Sequence, residues 1–229
     1  MQLANQPIFE QKNLQGIDDV QLALERLGHD LPRAGLQHLD NFNRTYLIIT
    51  RDVRQQLKKG SFEHPDFLNR FDRRFAYYYL HALQNYLTGN TQAVPRAWRR
   101  AFRYASRPHA SPFICMALGV NAHVNNDIPQ VLRDCGASKV HLRDYRLVNR
   151  IIGGSLDEVI SLFRHSGSIL NPNRRLLNLP YKLGMRLLIR VWRWSAWRKY
   201  QKLRRQQTDI PAIEQTADRL AGGINKLPL

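Results

Sequence analysis

His123 and Asp127 stand four residues apart in the segment GVNAHVNNDIPQ, which runs from Gly119 to Gln130. An imidazole and a carboxylate at i and i+4 share one helix face, where they can act as two metal ligands or as an acid/base pair. Asn121, Asn126 and Gln130 crowd the same segment and read as groups that hydrogen-bond a substrate or support the pair. The apolar run from Pro112 to Val120 implies that this face is buried, and burial is costly for polar groups that are neither paired nor bound to a ligand. If a metal is held, zinc or another divalent ion is expected, activating water towards an ester or phosphoester. A local reading competes with this one. Pro129 cannot donate a backbone hydrogen bond, so a helix break is expected near Asn126 or Asp127. Asp127 would then cap the helix starting at Ile128, and His123 would be a satisfied core histidine.

His81 is a second candidate, as a further metal ligand facing the same polar interior, with Arg74, Tyr77 and Asn85 near its face and Tyr77 placed to touch a substrate. The competing reading is a half-buried histidine bonded to tyrosine. Asp40, Asn43 and Thr50 form a polar line on an earlier helix, and Asn43 joins the substrate-binding candidates. His165 is expected at a helix C-terminus, where a cationic ring interacts favourably with the dipole. No HExxH, GxSxG or P-loop pattern occurs.

Helices must position these residues. Leu39, Phe42, Tyr46, Ile49, Val53 and Leu57 recur at spacings of three and four up to Gly60. A second helix is expected from Pro65 to Gly89, with the stripe Phe71, Phe75, Tyr78 or Tyr79, Ala82 and Tyr86. A third starts near Pro95 with Trp98, Phe102 and Ala105, and a fourth holds Cys115, Met116 and His123. Further helical patterns cover about 139–152, 155–165, 181–206 and 210–222, the last with Asp209 as N-cap. Alternating strand patterns and repeats are absent. The expected fold is all-α: a single multi-helix bundle over residues 36–229, preceded by a loosely patterned arm over 1–35 with a short helix, Ile17 to Leu27.

The formal net charge of +17 is uneven, about +5 over residues 1–138 and about +12 over 139–229. From Arg174 to Arg205 there are eleven basic residues and no acidic one. Within this stretch Lys182, Arg186, Arg190 and Arg193 form a stripe beside Leu183, Leu187, Val191 and Trp194, with Leu188 and Trp192 beyond. Such a helix suits an anionic bilayer surface, with nucleic acid less favoured because no base-reading motif is present. The plainer reading is a packed helix whose outer face is basic and whose tryptophans face inwards. No run reaches the ~20 apolar residues of a membrane span, and Cys115 and Cys135 form no disulfide framework or CxxC site. A cytoplasmic protein is expected, with peripheral contact at the inner membrane surface as an option; oligomeric state stays open. Three functions remain open: a metal-dependent hydrolase acting on an anionic or small-molecule substrate, a non-enzymatic protein docking on anionic lipid or nucleic acid, and a pocket for a small polar ligand.

The segments FNRTYLIITRDV (Phe42–Val53), GSFEHPDFLNRFDRRFAYYYLHAL (Gly60–Leu83), AWRRAF (Ala97–Phe102), LGVNAHVNNDIP (Leu118–Pro129) and DYRLVN (Asp144–Asn149) together resemble a bacterial domain-of-unknown-function family, number 5995. The likeness runs from about residue 40 onward. It implies an all-helical fold and no established activity, and it raises the expectation that Asp144 and Asn149 approach Asp127. A fainter likeness is to the helical zinc-dependent phospholipase C and single-strand nuclease superfamily, whose His-x-x-x-Asp-x-x-Gln pattern His123, Asp127 and Gln130 echo. That family has a further histidine where this chain has Arg133, and the chain lacks an N-terminal tryptophan and a His-x-x-x-Glu. The resemblance therefore implies one or two metals on a reduced ligand set at most.

Overall fold

A computed structural model describes residues 14–163 and 175–227, and of residues 175–181 only the helical backbone. Residues 1–13 of the expected arm, and His165, lie outside the described residues. The fold is all-α, with no strand among the described residues.

In chain order the helices are α1 (Ile17–Asp30), α2 (Asp40–Lys58), α3 (Pro65–Leu87), α4 (Arg96–Ala105), α5 (Pro112–Asn121), α6 (Ile128–Asp134), α7 (Leu142–Ser161), α8 (Arg175–Arg204) and α9 (Ile210–Ile224). Local chemistry fixes their starts. Pro65 opens α3, Ser111 Oγ accepts from Ile114 N–H at α5, and Asp209 caps α9 by accepting from Ala212 N–H at 2.8 Å. Of the expected arm, residues 14–35 hold α1, which runs three residues past the expected Leu27 to Asp30. Asp19 accepts from the Gln15 and Gly16 amides at its start, and α1 buries Ile17, Val20, Leu24 and Leu27 against α2 and α3.

Two expectations need correction. The patterns at 139–152 and 155–165 belong to one helix, α7, which runs straight through Gly153 and Gly154. Buried Ile152, Ser155 and Leu156 hold the backbone helical on either side of the glycine pair, so packing offsets their weak propensity. Nor does Pro129 break the fourth helix. α5 passes into α6 through a π-helical turn, Ala122–Asp127, with Asn121, Ala122, Asp127 and Ile128 all in the right-handed helical region. The Ile128 amide reaches back five residues to the His123 carbonyl. This wider turn accommodates the proline, whose ring clashes with the carbonyl four residues back in a regular helix. That carbonyl, of Asn125, receives Lys199 Nζ at 3.4 Å, and the Asn126 carbonyl accepts from Gln130 Nε2 at 3.1 Å.

The rod from α5 through the π turn to α6 is the axis of the molecule. Every residue from Asn121 to Leu132 is buried. Helices α2, α3, α4, α8 and α9 all pack against it. Gly119 lets α2 come close: a Cβ there would lie 2.5 Å from the Phe42 ring. A helix enclosed on all sides by protein must satisfy its polar side chains internally, and this one carries six of them between Asn121 and Gln130.

Candidate functional site

Those six side chains are not equivalent. Asn121 Nδ2 donates to the Ala217 carbonyl at 2.8 Å and Asn125 Nδ2 to Asn121 Oδ1 at 3.1 Å, fastening α9 to the rod. Gln130 Nε2 donates to the Asn126 carbonyl within the rod. The remaining three form a network around one carboxylate. Asp127 Oδ2 accepts from Trp98 Nε1 at 2.9 Å and lies 3.0 Å from His123 Nδ1, while Oδ1 accepts from Asn126 Nδ2 at 2.8 Å. Asp127 makes no capping bond to the backbone, so the capping reading is replaced by a side-chain network.

A carboxylate oxygen can only accept, so Nδ1 of His123 carries the ring proton and Nε2 keeps its lone pair. The ring is held on all sides: stacked on Phe75 at 3.4 Å between centroids, edge-on to Tyr46 at 4.6 Å and to Phe42 at 5.7 Å. Burial lowers the His123 pKa and Arg193 acts in the same direction, against the raising effect of Asp127, so the neutral imidazole is favoured. Its Nε2 is buried and has no partner among the described residues.

His123 lines a cavity of about 130 Å³ enclosed by α2, α3, α5, α7 and α8. The walls are apolar: Ile49, Phe71, Phe113, Met116, Val148, Ile152, Leu156, Val159, Leu188 and Trp192 among them. Polar exceptions come from three other helices. Tyr46 (α2), Asp72 (α3) and Arg193 (α8) also line it, and Tyr46 Oη, Asp72 Oδ2 and Arg193 Nη2 are buried without a partner among the described residues, like His123 Nε2. Burial pushes the Asp72 carboxyl up to about 7, with Arg193 pulling the other way. Burial, then Asp72 and Asp127, hold the Tyr46 hydroxyl well above its usual value, so it stays a donor. Arg193 is 3% exposed; its Nε donates to Asn149 Oδ1 and its guanidinium lies 4.6 Å over the Tyr145 ring. Unsatisfied buried polar atoms each cost about 1–3 kcal/mol. Four around one cavity mark a place built to meet a polar partner.

The structure thus joins His123 to Asp127 but separates both from most of the other expected site residues. Of those, only His123 and Arg193 line the cavity. His81 is exposed on the far side of α3, bonded to Asn85 and stacked with Tyr77 at 5.1 Å, so it is no third ligand. Tyr77 lies in that same surface cluster under Arg74. Asn43 is buried but donates to the Leu24 carbonyl at 2.9 Å, tying α2 to α1. Thr50, from the same polar line, does reach the cavity. Arg193, expected on a basic surface, faces inwards, whereas Arg186 and Arg190 are exposed and Lys182 pairs with Asp157. Trp192 and Trp197 face inwards as the plainer reading of this helix has it, while Trp194 does not. Asn149 approaches Arg193 rather than Asp127, and Asp144 lies elsewhere: it accepts from the Glu63 and His64 amides at 2.9 and 2.8 Å and from His64 Nδ1 at 3.1 Å.

The residues present do not fit a metal at His123. Both oxygens of Asp127 are taken by donors, so of this pair only Nε2 is free to coordinate, and among the described residues no three ligand atoms gather around it. Among the described residues, three potential ligands gather instead at Glu63, His64 and Asp144, where Asp144 is committed to the backbone and Glu63 pairs with Arg143.

Tyr46 and Asp72 escaped the sequence reading. Tyr46 is one more aromatic on an apolar stripe; Asp72 adjoins Phe71 and precedes Phe75 by three, a carboxyl at the border of an aromatic face, which was the available signal. No helix among the described residues is long and apolar enough to cross a membrane. No curated protein and no solved structure matches the chain. Residues 17–227 match the family described as Family of unknown function (DUF5995), and the chain belongs to that family.

Proposed function

We propose that the protein takes a small, mainly apolar molecule with one polar end into the α2–α3–α5–α7–α8 cavity, and that His123 acts on that end as a general base. The observation that carries this reading is the unpartnered Nε2 of a neutral histidine, oriented through its other nitrogen by Asp127 and set in an apolar chamber. The volume of about 130 Å³ suits a guest of about one aromatic ring, close to the ~150 Å³ of a cavity that accepts benzene. Ester hydrolysis is the reaction this arrangement serves best, and it does so without a metal. Nε2 takes a proton from water as its oxygen attacks the acyl carbon. Asp127 stabilises the resulting imidazolium, and Tyr46 Oη and Arg193 Nη2 are the donors for the developing oxyanion. The imidazolium then returns its proton to the leaving alkoxide.

Short-chain p-nitrophenyl esters test the reading. The wild type should hydrolyse them with saturation kinetics, and His123→Gln should lower kcat at least about a hundredfold while the fold, read by circular dichroism, survives. Overnight treatment with EDTA should change nothing. Equal rates in wild type and His123→Gln would refute the base, and a rate abolished by EDTA and restored by zinc would return the site to metal chemistry.

A further inference from the structure

Helix α8 has a second working face. Opposite its cavity side, Leu183, Leu187, Val191 and Trp194 follow one another at helical spacing and are 56%, 61%, 54% and 41% exposed. Burying such a row against protein is the usual outcome of this pattern, yet it faces outward here. Beside it runs an open groove between α7 and α8, lined by Arg146, Arg150, Arg186 and Arg190 together with Leu187, Val191 and Trp194. Among the described residues, no acidic side chain lines it. Arg186 Nε donates to the Gly153 carbonyl, while Arg146, Arg150 and Arg190 have no acidic partner among the described residues. Elsewhere on this surface the acids are spoken for: Asp157 pairs with Lys182 and Glu158 with Arg51.

We infer that this face docks on the surface of an anionic phospholipid bilayer. The apolar row of α8 enters the headgroup–acyl boundary, Trp194 sits at the polar margin, and lipid phosphates occupy the groove between the arginines. Charge complementarity selects the partner's sign. The adjoining apolar row selects a lipid surface over a nucleic-acid backbone, which offers phosphates with no apolar layer beneath them. Two arginines on each of two helices also place the guanidiniums around a cleft rather than in a line, a shape that fits headgroups better than a duplex. This inference is independent of any chemistry at His123.

Co-sedimentation of the full chain with vesicles tests it. Vesicles with phosphatidylglycerol in phosphatidylcholine should bind, pure phosphatidylcholine vesicles should not, and added salt should weaken binding. Replacing both Arg150 and Arg190 by serine should lower the partition coefficient about thirtyfold, taking the usual contribution of a basic residue near such a surface. Val191→Ser should weaken binding too, without reducing the charge of the groove. On binding, tryptophan emission should shift to shorter wavelength, and Trp194→Phe should remove most of that shift. All of these positions are exposed, so thermal melts should match wild type. Equal binding to neutral vesicles, full binding by the double arginine variant, or binding to an oligonucleotide with vesicles left in solution would each overturn the inference.

Discussion

Among the described residues, two histidine–aspartate pairs stand at nearly the same spacing but in different surroundings. His123 Nδ1 lies 3.0 Å from Asp127 and His64 Nδ1 lies 3.1 Å from Asp144. Asp144 spends its oxygens on two backbone amides, so it fixes the turn that leads into α3, and His64 is half-buried at the edge of that turn. Asp127 touches no backbone. It is held by Trp98, Asn126 and His123, and the histidine it orients is buried beside a cavity. The contact between ring and carboxylate is thus a poor guide to function. What separates the two pairs is where the carboxylate's other lone pairs go and what the far ring nitrogen meets.

Removing each carboxylate should separate the two most sharply. Asp127→Ala strips the acceptor from Trp98, Asn126 and His123 at once and is expected to cost about 3–5 kcal/mol in urea unfolding, at about 1–3 kcal/mol for each buried donor left unsatisfied. Asp144→Ala, at a partly solvated turn, is expected to cost about 2 kcal/mol and to leave any ester hydrolysis unchanged. Equal losses of both stability and activity would erase the distinction. Gly119→Ala comes next: its methyl must displace Phe42, which packs on His123, so a loss of about 1–3 kcal/mol should be accompanied by reduced activity. Trp98→Phe keeps a ring and removes only the indole donor, and about 1–2 kcal/mol is expected.

A further test lies in pH dependence. The Asp72 carboxyl is raised in the folded state to about 7, so it favours folding when protonated. That contribution is full below the unfolded value near 4 and is lost as pH rises through 7. His123, shifted down, behaves in the opposite sense: its contribution is present above about 6.5 and is lost as pH falls below that. Melting temperature against pH should therefore lose its decline between pH 4 and 7 in Asp72→Asn and keep it in His64→Gln.

Much of this was legible in sequence, and the limits have physical causes. Stripes at spacings of three and four located α2, α3 and α4 closely, because one buried face per helix leaves a periodic trace. The pairing of His123 with Asp127 was readable too, since it needs only four residues of one helix. The π turn was not: Pro129 signals trouble for an α-helix, but whether the chain breaks or widens depends on whether something else reaches the freed carbonyl. Here Lys199, from a helix seventy-four residues away, does so, and its burial brings the amine down to about 8. The rest of the cavity is hidden for a similar reason. Tyr46, Asp72 and Arg193 come from three helices with no local relation to one another, and Arg193 looks like any other member of a basic stripe until the packing of α8 turns it inwards.

Ile152, Leu156 and Ile189 border both the inner chamber and the arginine-lined groove. These three aliphatic side chains are a wall common to both compartments. A substitution that changes their bulk would therefore reshape the chamber and the groove together.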